Sequence, residues 1–281
     1  MADSLKSIAV LVHACDRYEF LFEGFAHFFH QHWDQNIKCS YYFATEEIDR
    51  KIPGFISLKS GKGEWSDRLT KLLRDDIKED YVLYLQEDMW LSKNVNPNFF
   101  SQLFEYIAQN NCQMLKLHSS EIYVTKPTGK YIEGFEVTTL DNSASRFLMS
   151  HQITLWNKNF LLKQLHTDEH PWRNERRATK RMKKNNPIIH HIDYFAENGK
   201  SANNKNKQMI GRSEYRTVSL NAMLNRNVLP YIAQLKQGDD SQKKYAASLQ
   251  LHLDQELTHD GKDKPRKDGI FKLIKLFFVG K

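Results

Sequence analysis

The stretch YVLYLQEDMWL (81–91) sets two adjacent carboxylates, Glu87 and Asp88, between five apolar or aromatic residues and three more. Neighbouring carboxylates repel, and a hard divalent cation on oxygen ligands supplies the compensating charge. The plainer reading is a solvent-facing Glu87 and an Asp88 that caps a turn. A second set of carboxylates lies in DEHPWRNE (168–175), where Glu175, Glu169 and Asp168 compete for a general-base role. Each of the three also suits the first turn of a helix, where it would complement the dipole. The pair His190-His191 falls in an apolar run and its two rings face opposite sides of a strand; such histidines are commonly structural hydrogen-bonding groups.

These groups need a scaffold, and the pattern supplies one. SIAVLVHA (7–14) is a short continuous apolar run, RYEFLFEGFAHFFHQHW (17–33) has helical spacing, and CSYYFAT (39–45) reads as a second strand. A helix over Trp65–Ile77 precedes the strand YVLYLQ. A further helix, Phe99–Ala108, precedes CQMLKLH (112–118). This βαβ rhythm predicts an α/β domain with strands buried on both faces, and ligands of such sheets collect at the carboxyl ends of the strands, where Glu87 and Asp88 stand. Beyond residue 120 the runs are β-rich. PTGK (127–130) reads as a hairpin turn, RFLMSHQITLW (146–156) and IIHHIDYF (188–195) read as strands, a helix starts near Pro171, and SANNKNKQ (201–208) is a polar linker. The expected division is a first domain over 1–212 and a helical extension over 213–281.

Composition narrows the class. The chain has 281 residues, 40% hydrophobic and 12% aromatic, which suits a folded core. Its net charge of +7 conceals an asymmetry: residues 1–150 carry 16 basic and 21 acidic side chains, residues 151–281 carry 25 and 13. RRATKRMKK (176–184) places six cations in nine positions, which implies an anionic partner or a solvated helix face. Nucleic acid would use the same charge, but no RNP, KH or zinc-finger pattern accompanies it, so a nucleic-acid-binding module remains a minor alternative. Three cysteines without CxxC spacing argue against a cysteine-ligated zinc and, with no signal-like N-terminus, imply a cytoplasmic setting. In 262–281, four cations precede GIFKLIKLFFVGK, too short to span a bilayer but suited to lie on an anionic membrane surface, here the inner face of the plasma membrane.

The hydrophobic strand ending in Gln86-Glu87-Asp88 about 80 residues after an N-terminal βα unit resembles the metal-binding DXD element of GT-A-fold glycosyltransferases of bacterial surface-polysaccharide type. VHACDRYEFL (12–21) looks like their nucleotide-base loop, GKGEWSDRL (61–69) like the segment before the metal strand, and SHQITLW with EHPWRNE like their acceptor-side helix. The resemblance covers about residues 5–200. It implies a GT-A-like, Rossmann-like nucleotide-sugar-binding mixed sheet flanked by helices, an Mn²⁺ or Mg²⁺ cofactor, a nucleotide-sugar donor, and a glycan or lipid-linked acceptor. By position, Asp88 would bind the metal with His191 completing its shell, and Glu87 would contact metal water or donor sugar. Ala14, Asp16 and Arg17 would face base and ribose, Ser66 and Arg68 ribose or phosphate, and Gln152 and His151 a sugar. Glu175 would be the base of an inverting displacement, beside Trp172 for stacking. Gln86 departs from the acidic first position of the motif. A metal-dependent phosphohydrolase would use the same carboxylates but needs more acidic ligands near the first strand, where only Asp16 is available.

Overall fold

A computed structural model describes residues 7–200 and 211–264. The chain divides into two compact units, Met1–Val218 and Ser219–Lys281. In chain order the first carries β1 (Ile8–His13), α1 (Phe22–His32), β2 (Ser40–Thr45), β3 (Ile56–Lys59), α2 (Trp65–Lys71), β4 (Tyr81–Leu85), β5 (Met89–Leu91), α3 (Pro97–Asn110) and β6 (Met114–His118). It continues with β7 (Thr125–Ile132), β8 (Phe135–Leu140), β9 (Thr154–Asn157), α4 (Lys158–Gln164), α5 (Pro171–Asn185), β10 (Ile189–Glu197) and β11 (Ser213–Thr217). The mixed α/β sheet flanked by helices that the sequence implies is the observed architecture.

The sheet runs β3-β2-β1-β4-β9-β6-β10-β11-β5, with the β7–β8 hairpin attached through β8 to β10. β3, β2, β1 and β4 are mutually parallel. β9 is antiparallel to both β4 and β6, and β10 and β11 run parallel to β6. The carboxyl ends of β1, β4, β6, β10 and β11 therefore share one edge of the sheet, and the antiparallel β9 begins at that edge. Every residue of β1, β4 and β6 is buried, which is why these strands read as continuous runs without alternation.

Helix α1 buries Phe22, Phe25, Phe28 and Phe29. The Phe28 ring stacks on Trp90 of β5 at 5.5 Å. Pro97 and Pro171 open α3 and α5 at a position whose N–H needs no partner, and the Asn96 side chain accepts the Asn98 and Phe99 N–H groups. α5 stops at Asn186, in the left-handed region at φ 47°.

Three expectations change. The hairpin turn is Glu133-Gly134, with φ 47° and 81°, the positive pair that a two-residue turn between twisted strands requires. PTGK instead lies inside β7 at a register shift between Pro127 and Lys130, where proline cannot donate to the ladder. Of RFLMSHQITLW only Thr154 onward is strand, because the preceding residues are held by side chains from α5. The extension does not begin at 213: Ser213–Thr217 pairs with β10 and β5 in the main sheet, and the division falls after Val218.

The second unit, by itself, contains the short hairpin β12 (Ser219–Leu220) and β13 (Met223–Leu224), then α6 (Leu229–Leu235) and α7 (Asp240–Asp254). Asp239 and Gln242 form a reciprocal capping box at the start of α7. No helix among the described residues is long and apolar enough to cross a membrane. Residues 201–208 and most of the basic tail proposed for a membrane surface lie outside the described residues.

Candidate functional site

The acidic pair sits where β4 leaves the sheet. The Met89 N–H bonds the Gln86 carbonyl, Trp90 Nε1 donates to the Glu87 carbonyl at 3.1 Å, and the Val218 N–H donates to the Asp88 carbonyl at 2.9 Å. This tight reversal into β5 pins the backbone of all three residues. Glu87 is buried and its Oε1 accepts the Cys15 N–H at 3.3 Å, joining the ends of β4 and β1; Asp88 is half-buried. Burial, and for Glu87 also the Asp88 charge beside it, pushes both carboxyls well above the usual carboxylate range. Two adjacent carboxylates kept from ionising together are an oxygen donor set that a hard divalent cation would fit, since the cation removes the repulsion.

Arg68 is the nearby cation. Its guanidinium is buried, pairs with Glu46 Oε1 at 3.0 Å and donates to Ser60 Oγ at 3.2 Å, and its charge bears on Glu87, Cys15 and His13. Next to it, Trp65 Nε1 donates to Tyr84 Oη at 3.3 Å, and the His151 ring lies 4.3 Å from that of Trp65. His13 Nε2 and His151 Nε2 are buried with no hydrogen-bond partner. Burial holds both imidazoles below their ordinary range, so they are neutral.

Across the same edge lies a second polar group. Lys116 of β6 is fully buried; its Nζ donates to Ser150 Oγ at 2.8 Å and sits 4.9 Å from the Tyr123 ring centre. Burial pulls the amine down to about 7, and the Glu175 carboxylate offsets part of that. Glu175 of α5 accepts the His151 N–H on Oε1 at 2.9 Å, and burial raises its carboxyl despite the Lys116 charge. Glu197, at the end of β10, is also raised, by burial first and then by Glu175. Tyr215 links the two groups: its hydroxyl donates to Gln152 Oε1 at 2.6 Å, and the charges of Glu197 and Asp88 both bear on it. The edge thus carries two acidic pairs, Glu87 with Asp88 and Glu175 with Glu197, and a buried amine, Lys116, whose charge bears on Glu175.

Not every expected residue is free for a ligand at this edge. Asp16 spends its carboxylate on three backbone N–H groups, those of Glu46, Glu47 and Ile48, and so folds the loop after β2. Ser66 accepts the Glu169 N–H at 3.1 Å and is fully buried. Ala14 is buried and hydrogen-bonds the Ala44 carbonyl, while Arg17 is exposed. His191 Nε2 bonds the His118 carbonyl at 3.0 Å, and Nδ1 lies 3.5 Å from Thr138 Oγ1, so the ring serves the strand packing. Among the described residues no group of three or more His, Cys, Asp or Glu side chains is arranged to hold a metal. Of the rival bases, Glu169 is buried in a network with Asn174 and Arg181, whose Nη1 lies 3.1 Å from Oε1, and Arg177 at 3.6 Å. Burial would raise its carboxyl, but these partners outweigh burial and lower it.

Sequence reasoning missed Lys116 and Glu197. A lysine inside the apolar run CQMLKLH was a readable signal, because an unpaired buried amine is costly. Glu197 gave less: it lies two residues past the run read as a strand.

No protein-family model matches the chain, and no curated protein matches it. Among solved structures it is similar to S. aureus TarS, at 10% identity and TM-score 0.46, over 87% of this chain and 43% of that one. It is similar also to S. aureus TarS 1-349, at 10% identity and TM-score 0.45, over 87% and 70%. The chain therefore spans less than half the length of the first of these.

Proposed function

We propose that the chain is a glycosyltransferase that moves a sugar from a nucleotide-sugar donor to a glycan or lipid-linked acceptor, with inversion. The observation that carries this reading is the Glu87–Asp88 pair at the carboxyl end of β4, the first buried and the second half-buried, together with a separate carboxylate, Glu175, on α5. Transfer needs two electrostatic tasks on opposite sides of a sugar: neutralising a departing diphosphate and taking a proton from the acceptor hydroxyl.

Asp88 and Glu87 would hold a divalent ion, which when bound supplies positive charge to the leaving diphosphate. Arg68, already neutralised by Glu46, tunes Glu87 more than it offers a free cation. Trp65 of α2 packs against both His13, at the end of β1, and His151, and so braces that end of the strand. The acceptor oxygen attacks the anomeric carbon as the glycosyl–phosphate bond breaks, the nucleoside diphosphate leaves with the bonding pair, and the hydroxyl proton passes to Glu175. A carboxyl raised by burial is suited to that transfer, and the His151 N–H and the Lys116 charge oppose the rise.

Thermal stabilisation by UDP-, GDP- and ADP-sugars, each with and without Mn²⁺, tests the reading. One donor class should raise the midpoint only with the ion, because a ligand of the native state adds to stability. No response to any of them, with or without Mn²⁺, would remove the proposal.

A further inference from the structure

We propose that the cleft between α5 and residues 146–147 is a subsite for a phosphate-bearing acceptor chain. What this says of the acceptor rests on the transferase reading above; the anion site itself does not. The cleft has a volume of about 500 Å³, and six cations, Arg146, Arg173, Arg176, Arg177, Lys180 and Lys183, line it without a single carboxylate. Within the described residues only Arg177 of the six has a carboxylate within ion-pair distance, Glu169 at 3.6 Å. Arg173 and Lys183 reach only carbonyl oxygens, of Asp168 and Ser143.

Arg176, Lys180 and Lys183 recur at positions i, i+4 and i+7 of one helix, and Arg173 with Arg177 repeats the spacing. Like charges so spaced repel, and an anion in the cleft would reverse that penalty. The guanidinium fork matches phosphate oxygens in two-point hydrogen bonds, so four arginines around a cleft favour phosphate groups over an isolated carboxylate. The cations converge on a concavity, which suits a narrow chain and not a flat bilayer. Phe147, the one aromatic ring lining the cleft, is half-buried with the Arg146 guanidinium 5.6 Å from its centre, which leaves no open platform for stacked bases.

The cleft is tied mechanically to the proton acceptor. Thr179 Oγ1 accepts the Met149 N–H at 3.0 Å, and one turn earlier Glu175 accepts the His151 N–H. The helix and segment that line the cleft are therefore those that position Glu175. A phosphate anchored between Arg146 and Lys180 would hold a neighbouring sugar hydroxyl beside that carboxylate.

Calorimetric titration of the full chain with inorganic tripolyphosphate tests the site. Submillimolar binding at low salt is expected, weakened by high salt and by at least about tenfold in Arg176→Gln/Lys180→Gln. Lys243→Gln/Lys244→Gln, which removes the same charge from α7, should bind as the unmodified chain does. Asp88→Asn should retain tripolyphosphate binding even if it loses nucleotide-sugar binding, so failure of the transferase reading is seen separately. Absence of binding, equal weakening in both double variants, or loss in Asp88→Asn would overturn the proposal. So would binding confined to vesicles containing phosphatidic acid, or tighter, competing binding of a dT oligonucleotide.

Discussion

Glu175 Oε1 accepts the His151 N–H at 2.9 Å, so the carboxylate read as a proton acceptor also fastens α5 to the irregular chain that enters β9. A glutamine keeps that bond, because its amide oxygen accepts equally well, but it cannot take a proton. Glu175→Gln should therefore fold normally, bind donor with unchanged affinity, and turn over about 10² or more times slower. If Glu197→Gln loses turnover and Glu175→Gln does not, the base is Glu197.

Lys116 offers a pH test. Its amine titrates near 7 in the folded protein, well below its ordinary value of 10.5. Between those limits the unfolded chain binds more protons, so this group makes stability rise as pH rises through that window. Lys116→Met removes the effect. Its thermal midpoint relative to the unmodified protein should be highest at pH 7 and fall toward pH 10. A constant difference across that range would show that Lys116 is not held at a depressed pKa.

Glu169 should behave as a structural carboxylate, in contrast to Glu175. Glu169→Gln leaves the half-buried Arg181 guanidinium without its charge partner, and losing such a charge-assisted hydrogen bond costs about 1.5–3 kcal/mol. Chemical denaturation should show that loss, while the variant at a temperature where it remains folded binds donor normally.

Gly24 connects the core to the acidic turn. A Cβ there would lie 2.1 Å from Trp90 Cη2, and the Trp90 indole donates to the Glu87 carbonyl. Gly24→Ala should cost about 1–3 kcal/mol through overpacking. It should also weaken metal-dependent donor binding, since the indole cannot move without releasing the turn. Full stability by denaturant titration would show that the ring relocates freely.

The continuous strands were legible because burial on both faces leaves an unbroken apolar run, as in IAVLVH and YVLYL. The acidic pair stood out in the sequence because two charges interrupt an otherwise apolar stretch. The partners of Asp16 and Ser66 were not legible because their environment is decided by distant segments: the loop after β2 in one case, the Glu169 backbone in the other. The basic run misled in part for the same reason, since Arg181 turns inward to Glu169 while Arg176 and Lys180 face the cleft. The β7–β8 turn was misplaced because Pro-Thr-Gly is a strong turn signal that a bulge can also absorb.

The central claim is that Glu87 and Asp88 bind a divalent ion together with a nucleotide-sugar diphosphate. Both carboxyls are raised, so protons compete with the ion below neutral pH, and ion affinity must climb as pH rises. The decisive measurement is calorimetric titration of Mn²⁺ with the stabilising nucleotide sugar, from pH 6 to pH 8, on the unmodified chain and on Asp88→Asn. Affinity should increase across that range in the former and be lost in the latter with the fold intact. Donor binding that is independent of Mn²⁺ and unchanged in Asp88→Asn would contradict the account.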